Sequence, residues 1–161
     1  MMPISTGDMT MNKWTKHFLR IAAEAGSMSK DPTTQVGAVL VVDRRVVGTG
    51  FNGFPSLIRD TQRRLQDRET KLKMIVHAEM NALLDAGREA RGSTLYLHGF
   101  QASPCLDCTK HLIQAGVRSI VAYGPPLPER WVKETDESRD LLHEADIDLT
   151  VYSATHSILA L

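Results

Sequence analysis

The sequence predicts an α/β fold in which helices cover both faces of a mixed sheet. Runs of β-branched residues alternate with segments whose apolar residues recur at helical spacing. Glycine or proline stands near most junctions between these segments, where turns are expected. Strand–helix alternation of this kind is typical of an α/β sandwich. At 161 residues the chain has the size of one domain with a single core.

The first part of the chain predicts a helix followed by a β-hairpin. Apolar residues recur at helical spacing over residues 14–27, and Gly26 suits the end of that helix. Residues 36–42 are rich in β-branched side chains and predict a buried strand. A tight turn at residues 43–45 leads into a second strand at 46–50, which completes the hairpin.

The rest of the chain predicts a glycine-rich loop at residues 50–55, a charged stretch at 56–73, and then alternating helices and strands. The charged stretch predicts a solvated helix face; alternatively, one or two of its cations contact a substrate phosphate. Helices are predicted at residues 77–86, 109–115 and 134–145, and strands at 94–97, 120–123 and 147–152. We expect one domain over residues 13–155, a flexible N-terminal tail at 1–12 and a C-terminal tail at 156–161.

Composition and charge limit the classes of function. Lys plus Arg equals Asp plus Glu, 19 each, so the chain has no overall charge suited to nucleic acid. No run approaches the roughly 18 apolar residues of a membrane span, and residues 1–11 lack the apolar block of a signal peptide. Both cysteines fall in one short turn, as thiols kept for metal do, and this predicts a reducing, cytoplasmic location.

Two short motifs carry the predicted chemistry. They are His77-Ala78-Glu79 and Pro104-Cys105-Leu106-Asp107-Cys108. One imidazole and two thiolates hold Zn²⁺ at three corners of a tetrahedron and leave the fourth open for water, as a catalytic site requires. Glu79, beside that water and not bound to the metal, is placed to shuttle protons. Each motif lies where a loop enters a helix, and helix N-termini favour thiolate and carboxylate forms.

Other interpretations of the cysteine pair remain open. A Cys-x-x-Cys turn also serves as a redox pair, although a redox motif needs no His-x-Glu segment upstream. A closed structural zinc site needs a fourth Cys or His ligand, for which His98 and His111 are the nearby candidates. The open catalytic site is the interpretation that uses both motifs.

Four segments of the chain match a known family pattern. They are Ser29-Lys30-Asp31-Pro32-Thr33-Thr34-Gln35-Val36-Gly37-Ala38, Gly50-Phe51-Asn52-Gly53-Phe54-Pro55, His77-Ala78-Glu79-Met80-Asn81-Ala82 and the Pro-Cys-x-x-Cys turn. Together they resemble the deoxycytidylate (dCMP) deaminase family, over nearly the whole chain. The zinc motifs are shared by the wider cytidine deaminase-like superfamily, whereas the first two segments are similar to its nucleotide-level branch.

The resemblance implies a fold, a reaction and an assembly. The fold is a three-layer α/β/α cytidine deaminase-like architecture with a five-stranded mixed sheet. The reaction is hydrolytic deamination of dCMP to dUMP, which supplies thymidylate synthesis. The assembly is a homo-oligomer, a hexamer or a dimer. The expected partner is a small-molecule nucleotide, with no nucleic acid and no membrane.

The resemblance also implies roles for individual residues. One Zn²⁺ per chain is bound by His77, Cys105 and Cys108. Glu79 is the catalytic acid and base. Asn52 hydrogen-bonds the nucleotide sugar, unless it serves only as a turn residue that tolerates left-handed backbone. Ala78 and Lys30 also contact the substrate, and the arginines between residues 59 and 68 are further candidates for the phosphate.

The chain departs from the family pattern in three places. Residues 98–103 make a longer approach to the cysteines, and His98 there either lines the base pocket or caps the strand end. Residues 71–76 stand where the family has aromatic residues. No cysteine remains for the second, structural zinc of some viral members.

Trp131 either covers the pocket, as a family aromatic does, or packs in the core. Residues 51–55 resemble part of the region through which nucleoside triphosphates regulate family members.

The predicted function is therefore zinc-dependent deamination of a pyrimidine deoxynucleotide, dCMP first among them. A deaminase for another mononucleotide or nucleoside is the alternative within the enzyme class, because the 98–103 loop borders the base pocket. A nucleic-acid editing deaminase and a non-catalytic zinc-binding protein are the alternatives from other classes. Balanced charge disfavours the editing enzyme, since polymer binding relies on clustered cations.

Overall fold

A single mixed sheet forms the centre of the molecule. In the computed structural model, which describes residues 10–159, the strands are β1 (Gly37–Val42), β2 (Arg45–Phe51), β3 (Thr94–His98), β4 (Ser119–Gly124) and β5 (Asp148–Ser153). Their order is β2-β1-β3-β4-β5. β1 runs antiparallel to β2 and β3, and β3, β4 and β5 run parallel to one another. The carboxyl ends of β3 and β4 therefore meet at the edge where the cysteine turn follows.

Helices cover both faces of this sheet. They are α1 (Lys13–Ser27), α2 (Gln62–Gln66), α3 (Arg68–Met74), α4 (Ala78–Ala86), α5 (Leu106–Ala115) and α6 (Val132–Glu144), with single 3₁₀ turns at Gly87–Ala90 and Glu129–Trp131. Buried residues of α4, α5 and α6 share one core cluster with the sheet, whereas α1 packs on the opposite face. The predicted three-layer α/β/α fold with a five-stranded mixed sheet is confirmed.

The position of strand β1, between helices on both faces of the sheet, explains why its sequence is apolar throughout. Ala38 and Leu40 face the cluster shared with α4 and α5, and Val39 and Val41 face α1. All four side chains are buried. A strand covered on both faces has no position for polar residues, so a continuous apolar run replaces the alternating pattern.

Local capping explains where several elements begin and end. Asp43 and Arg44 both have positive φ, which suits the tight turn of the predicted hairpin. Helix α5 begins at Leu106, three residues before the predicted start, because the Cys105 side chain caps it by accepting from the backbone N–H of Cys108 at 3.4 Å. The charged stretch forms two short helices, α2 and α3, and Asp67 ends the first and caps the second.

The predicted tails lie partly outside the described residues, which exclude 1–9 and 160–161. Met11 and Ile158, which fall within the predicted tail ranges, are buried in one cluster with Leu19 and Tyr152. The domain boundaries at 13 and 155 stay predictions. Over residues 10–159, no helix has both the length and the apolar character that a bilayer crossing needs.

Candidate active site

Three predicted ligands from two distant segments meet at one point. The Nδ1 atom of His77 lies 3.3 Å from Sγ of Cys105 and 3.5 Å from Sγ of Cys108. All three atoms lie within 4.8 Å of one another. Among residues 10–159, this is the group of His, Cys, Asp or Glu side chains that has the spacing of a metal site.

The spacing of these atoms fits zinc. Zinc binds imidazole nitrogen at about 2.0 Å and thiolate sulfur at about 2.3 Å, and tetrahedral angles then separate nitrogen from sulfur by about 3.5 Å. The two nitrogen–sulfur distances agree with this value. A one-nitrogen, two-sulfur ligand set is also a zinc set by its chemistry, and it leaves a fourth position for water.

Neither of the two histidines considered as a fourth ligand belongs to the group. His98 ends β3 and packs its ring against that of Tyr123, with 5.4 Å between centroids. His111 is exposed on α5, and its Nδ1 lies 2.7 Å from the carbonyl oxygen of Asp107 one turn earlier. The closed structural site considered from the sequence therefore has no fourth ligand among the described histidines and cysteines.

Without metal, the ligands share their protons unevenly. A hydrogen bond from Cys108 and the adjacent His77 together lower the pKa of the Cys105 thiol to about 4. The hydrogen bond with Cys105 raises the pKa of His77 to about 9. The pKa of Cys108 is raised because it donates to Cys105 and is buried. These shifts favour a thiolate at Cys105 and an imidazolium at His77, so zinc binding to His77 and Cys108 requires the loss of their protons.

Two helix N-termini point at this cluster. His77 is the N-cap of α4 and Cys105 is the N-cap of α5, so each stands just before the first helical residue. The first N–H groups of a helix have no partner within the helix and carry a partial positive charge. Both helix ends therefore stabilise negative charge at the cluster, including that of thiolate ligands.

Glu79 lies in the first turn of α4, two residues after His77. Its side chain is buried, with 6% of the residue exposed. Burial raises the pKa of this carboxyl, while the positive charge on His77 opposes the shift. A carboxyl group that gains and loses its proton nearer to neutral pH is suited to general acid–base chemistry.

Asn52 lies immediately after β2 and is buried. Its Oδ1 accepts from the backbone N–H of Val36 at 2.8 Å, and its Nδ2 donates to the carbonyl oxygen of Thr34 at 2.8 Å. The side chain thereby joins the 29–36 loop to the end of β2. One Nδ2 hydrogen and one Oδ1 lone pair remain for another partner.

The other two predicted substrate contacts differ in exposure. Ala78 is fully buried at the start of α4. Lys30 is exposed and donates to Oδ2 of Asp60 at 2.7 Å, which joins the 29–36 loop to the residues before α2. A phosphate would have to compete with Asp60 for this ammonium group.

The longer loop at 98–103 is firmly attached to the elements beside it. Its backbone continues the pairing beyond β3, since Gly99 N–H donates to Tyr123 O at 2.9 Å and Gln101 N–H to Pro125 O at 3.0 Å. Phe100 makes an edge-to-face contact with Trp131, with 5.8 Å between ring centroids. The aromatic pair thus lies where the carboxyl ends of β3 and β4 lead to the cysteine turn.

Sequence reasoning missed one polar cluster beside the site. It placed Lys71 among the solvated cations, but Lys71 is buried and pairs with buried Asp31 at 3.0 Å. A partial signal existed, since Asp-x-Thr is a sequence in which an Asp side chain accepts from the backbone two residues on. Nothing in the charged stretch itself distinguishes Lys71 from its exposed neighbours.

The known proteins to which this chain is similar in sequence are deaminases. Residues 12–124 match the model of the cytidine and deoxycytidylate deaminase zinc-binding region. An uncharacterized deaminase in the luxG 3′ region of Aliivibrio fischeri is 37% identical over 144 residues, which are 87% of this chain and 94% of that protein. The deoxycytidylate deaminase of Homo sapiens is 33% identical over 116 residues, which are 68% of this chain and 64% of that protein.

A solved structure shares the fold. The dCMP deaminase of cyanophage S-TIM5, crystallised in complex with dCMP and dUMP, superposes with a TM-score of 0.65 at 23% sequence identity. The superposition covers 86% of this chain and 94% of the phage protein. At this identity the likeness is one of architecture.

Proposed function

This chain belongs to the cytidine and deoxycytidylate deaminase zinc-binding family, and we propose that it hydrolyses dCMP to dUMP and ammonia. It is a zinc-dependent hydrolytic deaminase. The observation that carries the proposal is the convergence of His77, Cys105 and Cys108 beside the buried carboxyl group of Glu79. The choice of dCMP is supported by relatives that are named deoxycytidylate deaminases.

In the proposed mechanism the chain supplies three ligands and one proton carrier. His77 binds zinc through Nδ1, and Cys105 and Cys108 bind it through Sγ. When bound, zinc acts as a Lewis acid and lowers the pKa of water at its open position towards neutrality. The N-termini of α4 and α5 favour the negative charge that this requires.

Glu79 moves the protons of the reaction. It accepts one proton from the attacking water and delivers it to the ring nitrogen next to the carbon that bears the amine. The oxygen adds to that carbon, and Glu79 carries the proton that remains on this oxygen to the amine. The bond to the amine then breaks, so that ammonia leaves and the oxygen becomes the carbonyl of the product. Burial suits Glu79 to this role, since it raises the pKa of the carboxyl towards neutral pH, where the group can both accept and donate a proton.

The nucleotide is held by groups around this centre. Asn52 contacts the sugar with its remaining hydrogen and lone pair. The backbone N–H of Ala78, at the first position of α4, has no partner within the helix and is available to the pyrimidine. Lys30 binds the phosphate if it leaves Asp60, and the exposed or half-buried arginines between residues 59 and 68 are the other candidates.

Ammonia release from a panel of substrates tests the proposal. The panel contains nucleosides and mono-, di- and triphosphates of cytosine and adenine, each in ribo and deoxy form. We expect dCMP to have the highest kcat/KM. Turnover of another nucleotide with none of dCMP would reject the substrate and keep the mechanism. Absence of turnover for every compound by zinc-loaded protein would reject the enzymatic proposal.

One observation favours a substrate other than dCMP for the same mechanism. Phe100 of the 98–103 loop packs against Trp131 shortly before the cysteine turn. We propose that this pair borders the base, with side chains that a shorter loop would not supply. A deaminase for a different mononucleotide or nucleoside is therefore the alternative. Phe100→Ala should then change the ratio of kcat/KM values between bases, whereas an unchanged ratio would remove the loop from specificity.

The homo-oligomer and the cytoplasmic location stay predictions.

A further inference from the structure

Lys71 is a buried cation within a stretch of exposed ones. Its side chain is 11% exposed, whereas that of Lys73, two residues later on α3, is 71% exposed. The Nζ atom of Lys71 lies 3.0 Å from Oδ1 of Asp31 and donates to Oγ1 of Thr33 at 2.9 Å. A buried ammonium group needs such partners, because its desolvation is otherwise uncompensated.

Asp31 uses the same oxygen to shape the loop that precedes β1. It accepts from the backbone N–H of Thr33 at 2.9 Å, from that of Thr34 at 3.2 Å, and from the Thr33 hydroxyl at 2.9 Å. Four donors thus converge on one carboxylate oxygen. The Thr33 and Thr34 donors and the positive charge of Lys71 together favour the ionised form of this carboxylate.

The loop held by Asp31 is the loop that holds Asn52. Asn52 donates through Nδ2 to the carbonyl oxygen of Thr34 and accepts at Oδ1 from the backbone N–H of Val36, both at 2.8 Å. The Ser29 hydroxyl also donates to the backbone carbonyl of Asn52 at 2.7 Å. The position of Asn52 therefore depends on the backbone of residues 29–36, which depends in turn on the Asp31–Lys71 pair.

Helix α3 connects the same pair to the metal ligands. It ends at Met74, and Val76 then forms a two-hydrogen-bond bridge with Gly53, the residue after Asn52. The N–H of Gly53 donates to Val76 O at 3.1 Å, and the N–H of Val76 donates to Gly53 O at 2.8 Å. His77 follows directly. Lys71 thus lies on the element that joins the Asn52 segment to the first metal ligand.

We propose that Lys71 and Asp31 are a positioning pair, which holds the substrate-binding segment at Asn52 in register with the metal ligand His77. Neither residue contacts the reacting atoms. The ion pair clamps α3 onto the 29–36 loop, so that the sugar-binding and metal-binding parts of the site move as one unit. The effect on turnover rests on the proposed function, whereas the clamp itself does not.

Hydrogen exchange measures the clamp without any substrate. The variants are Lys71→Met, which removes the ammonium group, and Asp31→Asn/Lys71→Met, which removes both charges and keeps an oxygen for the Thr33 and Thr34 amides. Lys73→Met is the matched control, since it makes the same change on the same helix at an exposed position. We expect amide exchange in residues 33–36 and at Gly53 and Val76 to rise about tenfold or more in both Lys71 variants, with little change in the sheet.

Kinetics and metal content distinguish positioning from general stability. We expect each Lys71 variant to retain about one zinc per chain. We expect the KM for dCMP to rise about tenfold with a smaller fall in kcat, because a displaced Asn52 weakens substrate binding more than the chemical step. Lys71→Arg keeps the charge, so its KM for dCMP should lie between those of Lys71→Met and the wild type.

The outcomes separate the two proposals. The positioning role is overturned if exchange in residues 33–36 matches that of Lys73→Met, or if it rises equally throughout the chain. The double variant decides the matter if Lys71→Met does not fold, since it leaves no unpaired buried charge. If local exchange rises as expected but the wild type turns over no nucleotide, the clamp is supported and the proposed function fails.

Discussion

The backbone of Gly50 in β2 lies directly against that of Ala78 at the start of α4. A β-carbon built on Gly50 would overlap the carbonyl oxygen of Ala78 and the amide nitrogen of Ala82. The first turn of α4 carries Glu79 and is capped by His77. The absence of a side chain at Gly50 therefore sets how closely the catalytic helix approaches the sheet.

Gly50→Ala should both destabilise the protein and disturb the site. The added methyl group meets backbone atoms, which cannot rotate away, so we expect a loss of about 1–3 kcal/mol in the free energy of unfolding. Urea unfolding measures this loss, and zinc affinity should fall with it because His77 moves with α4. Gly53→Ala is the control, since its β-carbon would meet only the Phe51 ring at 3.7 Å. Equal losses in the two variants would contradict this account.

Metal content should depend on the three converging ligands. We expect about one zinc per wild-type chain and little zinc in Cys105→Ala, Cys108→Ala or His77→Ala, because two remaining ligands bind too weakly. Elemental analysis of purified protein measures this. His111→Ala is the control, since His111 is exposed on α5 outside the cluster and should retain full zinc. Two zinc ions per chain would show a site beyond the one described.

Glu79→Gln should separate metal binding from catalysis. The amide keeps the size of the side chain but cannot carry the proton, so we expect kcat to fall by about 10²–10⁴-fold while zinc content stays unchanged. Ammonia release and elemental analysis on the same sample measure the two effects. Glu144→Gln, at an exposed position on α6, should retain wild-type activity. Retention of activity in Glu79→Gln would remove the acid–base role from this residue.

The Asp31–Lys71 pair should make stability depend on pH in acid. Burial opposes ionisation of Asp31, but hydrogen bonds from Thr33, Lys71 and Thr34 outweigh it and hold the pKa of this carboxyl below its ordinary 3.8. A carboxyl whose pKa is lower in the folded state stabilises the fold above its unfolded pKa, and this contribution is lost as pH falls through the folded pKa.

Comparison with the double variant isolates this contribution. We expect the free energy of unfolding of wild type minus that of Asp31→Asn/Lys71→Met to stay constant from about pH 7 to about pH 5 and to shrink below about pH 4. Urea unfolding of zinc-free protein measures it, since metal loss in acid then affects neither sample. A difference that stays constant to about pH 3 would show that Asp31 is not stabilised as an anion.

Short-range patterns were sufficient for most elements and for the metal ligands. The turn at Asp43 and the apolar run of β1 each lie within a few consecutive residues, so a local pattern predicts them. The start of α5 was predicted too late, because the Cys105 side chain caps the helix and cysteine is not a usual N-cap residue.

The sequence by itself determined the chemistry of this protein, because the His-x-Glu and Cys-x-x-Cys motifs each place their groups within one helix turn. Only the tertiary structure decided which polar residues hold that chemistry in place. Lys71 and Asp31 are 40 residues apart, and their pairing is visible only once α3 packs on the 29–36 loop. The burial of a side chain depends on which other parts of the chain cover it. The local sequence of a charged stretch therefore does not show which of its charged side chains will be buried.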